Sequence, residues 1–438
     1  MNPTRRAFVA VALLGSLRVR AAAEPALRDA FIAFFPAYEM ARLRWTAIED
    51  VANPRHGRLN EFNHVRRLLD HTARNVTAPN NDTLYSSARL DLRLGPLAVE
   101  TAPMRGRYYS LQFMNLHTDN LAILGRRDGG DGPLKVAVSG PGWSGPLPDH
   151  THHVQADTHD LWLLARTLVD GPEDLPAVTA LQDGMRIAAP KPADAYPRQR
   201  LKPPKDPDPA AFFDVVGEML DRNPPTGTLA TIAAAAGLGA RQRWSDLPAG
   251  QRAAWQAPWP ALNAELQDPA NLRTRIVGGW EYPPPEIGRW GDHRLLRAAV
   301  ALRGIAALDS AETLYLGTFT DSTGQRLDGS RRWRVRIPPG GVPVRGFWSL
   351  TMYQVEPDGR FFFVDNPIGR YAVGDRTRGL KVGADGSIEL LVQAERPADA
   401  SNWLPAPNGP FRLALRAYLP DAALVDGRAP LPHVEARD

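Results

Sequence analysis

The chain has 438 residues, of which 43% are hydrophobic and 23% are charged, proportions that exclude a disordered, collagen-like or coiled-coil protein. Its 41 prolines are about twice the usual share and suit a loop-rich β protein better than a helical bundle. The net charge of +4 comes from four arginines within residues 1–23. The remainder is neutral and lacks the overall basic charge that is typical of nucleic-acid-binding proteins.

The first 23 residues have the organisation of an export signal. Arg5 and Arg6 precede the short apolar stretch 7–17, and small residues end the segment at Ala23. An arginine pair in this position is typical of twin-arginine export, and the stretch is too short to span a bilayer. We expect cleavage after Ala23 and a soluble periplasmic or secreted product without a transmembrane helix, whose precursor engages the twin-arginine machinery. An ordinary signal peptide and a cytosolic basic tail are the alternatives.

Several classes of chemistry are excluded or disfavoured by what the sequence lacks. It contains no cysteine, which excludes thiol nucleophiles, cysteine-ligated zinc, iron–sulfur clusters and cysteine-attached haem. It also contains no Walker loop, G-x-G-x-x-G, G-x-S-x-G or H-E-x-x-H pattern, which disfavours P-loop enzymes, standard α/β-hydrolases and zincins. The sequence therefore assigns neither a cofactor nor a metal.

The first half of the chain is predicted to contain helices and then a β domain. Helical spacing of apolar residues in the segment 24–79 predicts helices over 25–50, interrupted at Pro36, and over 59–69. Residues 80–190 alternate short apolar runs with Gly- and Pro-rich turns, which predicts a β-sandwich. Its predicted strands are 83–92, 108–116, 121–124, 135–138 and 161–168, and a helix over 173–187 follows them.

The second half is predicted to contain a linker, a helical region and another β domain. Residues 191–209 are rich in proline and charge, so we expect an exposed, poorly packed linker that proteases cut first. Residues 210–311 have helical periodicity, including a helix capped by Asp292. Residues 312–438 return to strands separated by hairpin dipeptides. Its predicted strands are 313–319, 332–337, 346–355, 360–364, 387–393 and 411–418.

A short sequence pattern occurs in both predicted β domains. An arginine–glycine pair, two adjacent aromatic residues, serine and leucine occur at 105–112 and again, with one gap, at 345–351. Chance similarity is favoured over duplication because the match is short. In the second copy, strand alternation places Ser349, Thr351 and Tyr353 on one face as a polar stripe.

The densest polar segment is 80–85, Asn-Asn-Asp-Thr-Leu-Tyr. Asp82 is a candidate general base or metal ligand, and Asn81 and Tyr85 are candidates for positioning a substrate. The alternative is that the segment forms a turn into the first strand, in which Asp82 accepts backbone N–H bonds. His64 lies nearby in sequence and is a second catalytic candidate, against a purely structural hydrogen bond.

Further polar side chains are candidates for binding a substrate. Tyr108 and Gln112 share a strand face in the first β domain, and Arg370 and Tyr371 offer hydrogen-bonding groups in the second. The alternative is that the aromatic residues only close the sandwich. The segment 149–153, Asp-His-Thr-His-His, has residue types that bind Zn, Ni or Cu, but it follows two prolines, which favours a surface loop.

Longer motifs carry a family resemblance. In the first β domain they are Asn-Asn-Asp-Thr-Leu-Tyr-Ser at 80–86, Gly-Arg-Tyr-Tyr-Ser at 106–110 and Gly-Pro-Gly-Trp at 140–143. In the second they are Gly-Phe-Trp-Ser-Leu-Thr-Met-Tyr at 346–353 and Asn-Trp-Leu-Pro-Ala-Pro at 402–407. With these motifs the chain resembles a bacterial exported family made of domain of unknown function 1254 followed by domain of unknown function 1214. The resemblance implies an immunoglobulin-like sandwich, a helical middle and a jelly-roll-like domain, but no catalytic residue.

We therefore predict a mainly β protein with a helical insert between two β domains. Two functions stay open. The first is a hydrolase- or lyase-like enzyme with Asp82 and His64 near the chemistry. The second is a periplasmic ligand-binding or envelope-associated protein with a cleft between the β domains. A small polar molecule is the expected ligand of either, and nucleic acid is not expected as a partner.

Overall fold

The structure is a computed structural model that describes the backbone of residues 3–74 and 77–437, and side chains from Glu24 onward. The predicted export signal thus lies outside the described side chains. The helices are α1 (Pro3–Arg44), α2 (Arg126–Gly129), α3 (Leu175–Asp183), α4 (Pro209–Arg222), α5 (Gly227–Ala235), α6 (Ala249–Gln256), α7 (Trp259–Gln267), α8 (Arg294–Arg303) and α9 (Ala422–Val425).

The strands fall into an earlier and a later group along the chain. In the earlier group they are β1 (Asn63–His64), β2 (Thr83–Asp91), β3 (Leu97–Glu100), β4 (Tyr109–Met114), β5 (Asn120–Gly125), β6 (Lys135–Ser139), β7 (His152–Gln155), β8 (Asp160–Leu168) and β9 (Arg186–Ala188). In the later group they are β10 (Arg275–Val277), β11 (Trp280–Tyr282), β12 (Thr313–Thr318), β13 (Arg332–Ile337), β14 (Trp348–Val355), β15 (Phe361–Phe362), β16 (Ala372–Gly374), β17 (Ile388–Gln393), β18 (Trp403–Pro405), β19 (Phe411–Tyr418) and β20 (His433–Arg437).

A helical core forms where α1 packs against α4 to α8. Aromatic residues dominate the contact: Phe31 lies against Phe212 and Trp259 at centroid distances of 5.2 and 5.0 Å. The predicted interruption at Pro36 is wrong, because α1 continues through it. Proline removes one helical hydrogen bond, but residues 30–41 are all buried, and this packing offsets the loss. Within the described residues, no helix has the length and apolar character needed to cross a bilayer.

The first β domain is a sandwich of two sheets. A five-stranded sheet of order β1-β2-β8-β4-β5 packs against a four-stranded sheet of order β7-β6-β3-β9. Leu90, Leu111 and Leu163 lie in the core between them. Strand alternation gives the opposite face of the five-stranded sheet both polar residues and a small apolar cluster with Met114 and Leu164. The helix predicted over 59–69 is wrong: Asn63–His64 instead pairs with β2 as an edge strand.

The second β domain also has two sheets. A seven-stranded sheet has the order β10-β11-β12-β19-β14-β15, with β16 also paired to β14, and packs on a four-stranded sheet of order β18-β17-β13-β20. Its core includes Trp333, Leu350 and Leu415. The region 210–311 is therefore not wholly helical, since β10 and β11 extend this sheet. The predicted mainly β fold with a helical insert is confirmed, whereas the immunoglobulin-like and jelly-roll-like topologies stay predictions.

Most residues of the segment 191–209 are exposed, as its composition predicts, but the segment is not poorly packed. The buried carboxylate of Glu218 accepts the backbone amides of Arg200 and Leu201 at 2.6 and 2.9 Å. The hydroxyl of Tyr38 donates to the carbonyl of Pro204 at 2.7 Å. Because its backbone groups are bonded to the helical core, the structure gives no reason to expect early proteolysis here.

Candidate functional site between the two β domains

The two β domains meet through polar faces. Polar side chains of β2 and β8 face polar side chains of β12, β14 and β19, and hydrogen bonds join the two sides. We call this region the interdomain polar layer and define it by Asp82, Tyr85, Arg166, Tyr315, Ser349 and Arg416.

Asp82 joins the two domains directly. Its Oδ2 accepts a hydrogen bond of 2.7 Å from the hydroxyl of Ser349, on β14 of the second domain. Burial raises the pKa of the Asp82 carboxyl, an effect that the charge of Arg416 and the bond from Ser349 oppose. The turn into β2 is closed by Asn80, whose Oδ1 accepts the Asp82 amide at 2.6 Å. The side chain of Asp82 is therefore not the turn-forming group that the structural alternative requires. Asn81 is half-buried beside it.

Arg416 is a buried cation in the second domain that holds a segment of the first. It donates to the hydroxyl of Thr351 at 2.7 Å and to the carbonyls of Ala78 and Pro79 at 3.1 and 3.3 Å. It also donates to the hydroxyl of Tyr353 at 2.5 Å, and that hydroxyl donates to Pro79. The predicted polar stripe on β14 thus faces the layer, where two of its members bind Arg416.

Arg166 is the corresponding buried cation of the first domain. It donates to Gln112 Oε1 at 2.8 Å and to the carbonyl of Ala306 at 2.9 Å. Gln112 also donates to Asn120 and Ala307, so its amide is already occupied by protein groups. The guanidinium lies 5.5 Å from the centre of the Tyr85 ring. The Tyr85 hydroxyl has no hydrogen-bond partner among the residues that the structure describes.

Burial perturbs the acid–base groups of the layer although they keep some accessible surface. Asp82, Tyr85 and Tyr315 are half-buried, so each keeps some surface that water can reach. Yet burial raises the pKa of both Asp82 and Tyr315. A carboxyl with a raised pKa, near the guanidinium of Arg416, can exchange a proton with a bound polar group.

His64 is not brought into the layer. It lies on β1 opposite Ser86, its Nδ1 is 2.8 Å from the Ser86 hydroxyl, and its ring stacks on Phe62 at 5.6 Å. Successive residues of a strand face opposite ways, so Ser86 and His64 lie on the other face of the sheet from Tyr85. Burial, with the charge of Arg66, lowers the pKa of His64 to about 4.

Tyr108 forms part of an aromatic wall at the domain boundary. Its ring lies edge-on to Phe347 and Tyr418 at 5.4 and 5.0 Å. Its hydroxyl donates to the buried carboxylate of Glu312 at 2.7 Å, which also pairs with Arg127 at 2.9 Å. Tyr108 is therefore beside the layer but is bonded to protein groups.

Arg370 and Tyr371 lie outside the layer. Arg370 Nη1 donates to the carbonyls of Ala400, Ser401 and Trp403 at 2.9 to 3.0 Å, an arrangement that holds a loop. The hydroxyl of Tyr371 is 3.0 Å from the Nδ1 of His71. His71 carried no signal in the sequence.

The histidine segment 149–153 makes ordinary surface contacts. Asp149 pairs with Lys135 at 2.6 Å, and His153 Nε2 lies 2.9 Å from the Ser139 hydroxyl. Among the described residues, no three His, Cys, Asp or Glu side chains are grouped so that they could hold a metal ion.

Comparison with known proteins places both β domains in described families. The family model Protein of unknown function (DUF1254) matches residues 59–189, and the model Protein of unknown function (DUF1214) matches residues 312–422. No curated protein matches the chain.

Two solved structures are similar to the chain. The crystal structure of the VPA0106 protein from Vibrio parahaemolyticus has a TM-score of 0.73 and 22% identity, and the match covers 94% of this chain and 99% of that one. An uncharacterized protein from Burkholderia cenocepacia has a TM-score of 0.45 and 16% identity, over 91% and 86% of the two chains. The first likeness shows a shared fold. With the two matched models in the predicted order, the chain belongs to the family in which DUF1254 is followed by DUF1214.

Proposed function

We propose that this protein is an exported hydrolase- or lyase-like enzyme whose interdomain polar layer binds a small polar substrate, with Asp82 as its acid–base group. The observation that carries the proposal is the half-buried Asp82, whose carboxyl has a pKa raised by burial and accepts a hydrogen bond from Ser349 across the domain boundary. Perturbed carboxyls in such places are concentrated at functional sites.

Each side chain has a distinct role in the proposed reaction. Asp82 removes a proton from water or from the substrate, or returns one to the leaving group. The positive charges of Arg166 and Arg416 stabilise negative charge that develops on a substrate oxygen, because fixed charges act strongly where water is excluded. The Tyr85 hydroxyl, which lacks a protein partner in the described structure, orients the substrate.

The second candidate is a periplasmic ligand-binding or envelope-associated protein without catalysis. The same observation favours this candidate, because the layer presents polar groups of both β domains to one ligand. Binding of that ligand would then depend on how the two β domains are positioned relative to each other. The two candidates differ in one measurable respect, which is whether the bound molecule is converted to a product.

The Tyr85→Phe variant tests the site. Small polar metabolites are first screened by the rise in melting temperature that they give to the wild-type protein. We expect Tyr85→Phe to keep the melting temperature of the ligand-free protein, because the hydroxyl has no described protein partner, and to bind the hits about tenfold more weakly through one lost hydrogen bond.

The matched control is Tyr371→Phe, which removes a hydroxyl outside the layer and should leave the affinity unchanged. Mass spectrometry of the hits after incubation then separates the candidates: a product supports the enzyme, and an unchanged ligand supports the binding protein. Equal affinity of the wild-type and Tyr85→Phe proteins for every hit would remove the layer as the site.

Export is the second part of the proposal, with the periplasm as the destination of the mature chain. Replacing Arg5 and Arg6 together by lysine is expected to retain the precursor in the cytoplasm, because twin-arginine transport requires the pair. Cell fractionation and the size of the product measure this. The control replaces Arg18 and Arg20 by lysine. A periplasmic product of unchanged amount from the Arg5/Arg6 variant would show that another pathway is used.

A further inference from the structure

A second polar site lies between the two β domains, apart from the interdomain polar layer. It is a cleft of about 310 Å³ that is lined by the residues just before β4 and by the residues just before β14. We call it the arginine cleft. Its charged lining consists of five arginines and two aspartates: Arg105, Arg107, Arg126, Arg345, Arg376, Asp170 and Asp174.

The cleft has more positive charge than its own carboxylates can pair. Asp174 accepts two bonds from Arg107, at 2.5 and 2.8 Å, and Asp170 pairs with Arg376 at 2.8 Å. Arg126 pairs with Asp131, next to the cleft. Arg105 and Arg345 are exposed and form no ion pair within the described part of the chain. Two guanidiniums, one from each β domain, therefore remain to bind an anion.

Both of these arginines stand on a fixed backbone. Arg105 has a φ of 44° and Gly106 a φ of 82°, a left-handed turn that is costly for a residue with a side chain. Asp131 holds this turn, since its Oδ1 accepts the Gly106 amide at 2.6 Å. On the other side, the amide of Arg345 donates to the carbonyl of Leu419 at 2.9 Å. A site with a fixed backbone loses less conformational entropy when a ligand binds.

An aromatic wall separates the cleft from the interdomain polar layer. Tyr108 lines the cleft, and behind it Phe347 and Tyr418 stack with ring centres 4.0 Å apart. The two internal copies of the arginine–glycine–aromatic pattern thus meet at this place. Each copy supplies one of the unpaired arginines and one of the wall's rings.

We propose that the arginine cleft binds a small molecule that bears at least two oxyanion groups, carboxylate or phosphate. A guanidinium can bind either a carboxylate or a phosphate through two parallel hydrogen bonds. The volume of the cleft is at the small end of the usual range for ligand sites. The two unpaired arginines come from different domains, so a ligand with two anionic ends is the one that engages both. This inference does not depend on the proposed function of the layer.

The test uses inorganic pyrophosphate and citrate as probes, measured by isothermal titration calorimetry at constant ionic strength. We expect the wild-type protein to bind at least one probe, and the preferred probe identifies phosphate or carboxylate as the natural group. The double variant Arg105→Gln/Arg345→Gln should lose about 100-fold in affinity, from two charge-assisted interactions. Both side chains are exposed, so the fold should be retained.

The control variant Arg55→Gln/Arg326→Gln removes two exposed charges elsewhere and should change the affinity by less than about twofold, since distant surface charges are screened. Equal losses in the two double variants would mean that the probes sense only the overall charge. That result, or a wild-type protein that binds neither probe, would overturn the proposal. Tyr85→Phe should bind each probe with the affinity of the wild-type protein, so failure of the cleft and failure of the layer are distinguishable.

Discussion

Replacing Arg222 by methionine is expected to lower the free energy of unfolding by about 3–5 kcal/mol. Its guanidinium is buried at the end of α4, with Nη2 2.6 Å from Asp160 Oδ1 and 3.1 Å from Asp91 Oδ2. Although burial opposes it, the charge of Arg222 holds the pKa of Asp160 below its ordinary value. Without Arg222, Asp91 keeps its ion pair with Arg93, but Asp160 loses two short guanidinium bonds and keeps only Arg44, at 3.4 Å, as a cation. A buried carboxylate left with a weaker partner is what makes such a change costly.

The same replacement at Arg89 is expected to leave the free energy of unfolding unchanged or to raise it. Arg89 is as buried as Arg222, but its Nε and Nη1 have no hydrogen-bond partner and it forms no ion pair with any described residue. Burial, with the charge of Arg44, lowers its pKa to about 9. Its main contact is the Trp162 ring, 3.9 Å away, so methionine loses a cation–π contact but removes a desolvated charge.

Urea denaturation of the two methionine variants and the wild-type protein at pH 7 measures both effects. The pair is matched, because the same side chain is replaced by the same residue at two buried positions. A loss at Arg89→Met as large as that at Arg222→Met would contradict the expectation. It would indicate that the guanidinium of Arg89 has a bound anion as its partner in solution.

The strands of the two meeting sheets could be predicted from the sequence because alternation is a local property. The predicted strands 83–92 and 346–355 closely match β2 and β14. The two-residue period of a strand is enough to predict that Ser349, Thr351 and Tyr353 share one face. Residues 59–69 show the limit of this method. Their spacing also fits a helix, but pairing with β2 and packing against the sandwich decide otherwise.

The composition of the site could not be predicted, because it depends on contacts between residues that are distant in sequence. Asp82 and Ser349 are 267 positions apart, and no local pattern brings them together. Arginine is ordinarily a surface residue, so nothing in the sequence distinguishes Arg166 and Arg416, which are buried, from Arg105 and Arg345, which are exposed. The segment around Asp82 could be singled out only because it is the densest polar segment of the sequence.

Asp82→Asn is expected to lower the rate of substrate conversion by about 100-fold or more, while the protein stays folded. Asparagine keeps the shape of the side chain and can still accept the Ser349 hydroxyl, but it cannot take up a proton. The ligand hits from the metabolite screen provide the substrate, and product formation is the measurement. Ser349→Ala is the companion variant, since it removes the hydrogen bond without removing the carboxyl.

The stability of Asp82→Asn provides an independent measurement. Because burial raises the pKa of Asp82 in the folded protein, its ionised form is less favourable there than in the unfolded chain. Asp82 therefore favours the folded state at low pH, where its carboxyl is protonated. This contribution to the free energy of unfolding is lost as the pH rises above about 4. We expect Asp82→Asn to be at least as stable as the wild-type protein at pH 7, with the difference shrinking toward pH 4. If the variant instead loses about 1–2 kcal/mol, the size expected for a lost turn or cap, and still binds and converts its ligand normally, Asp82 is a structural residue and the proposed acid–base role is wrong.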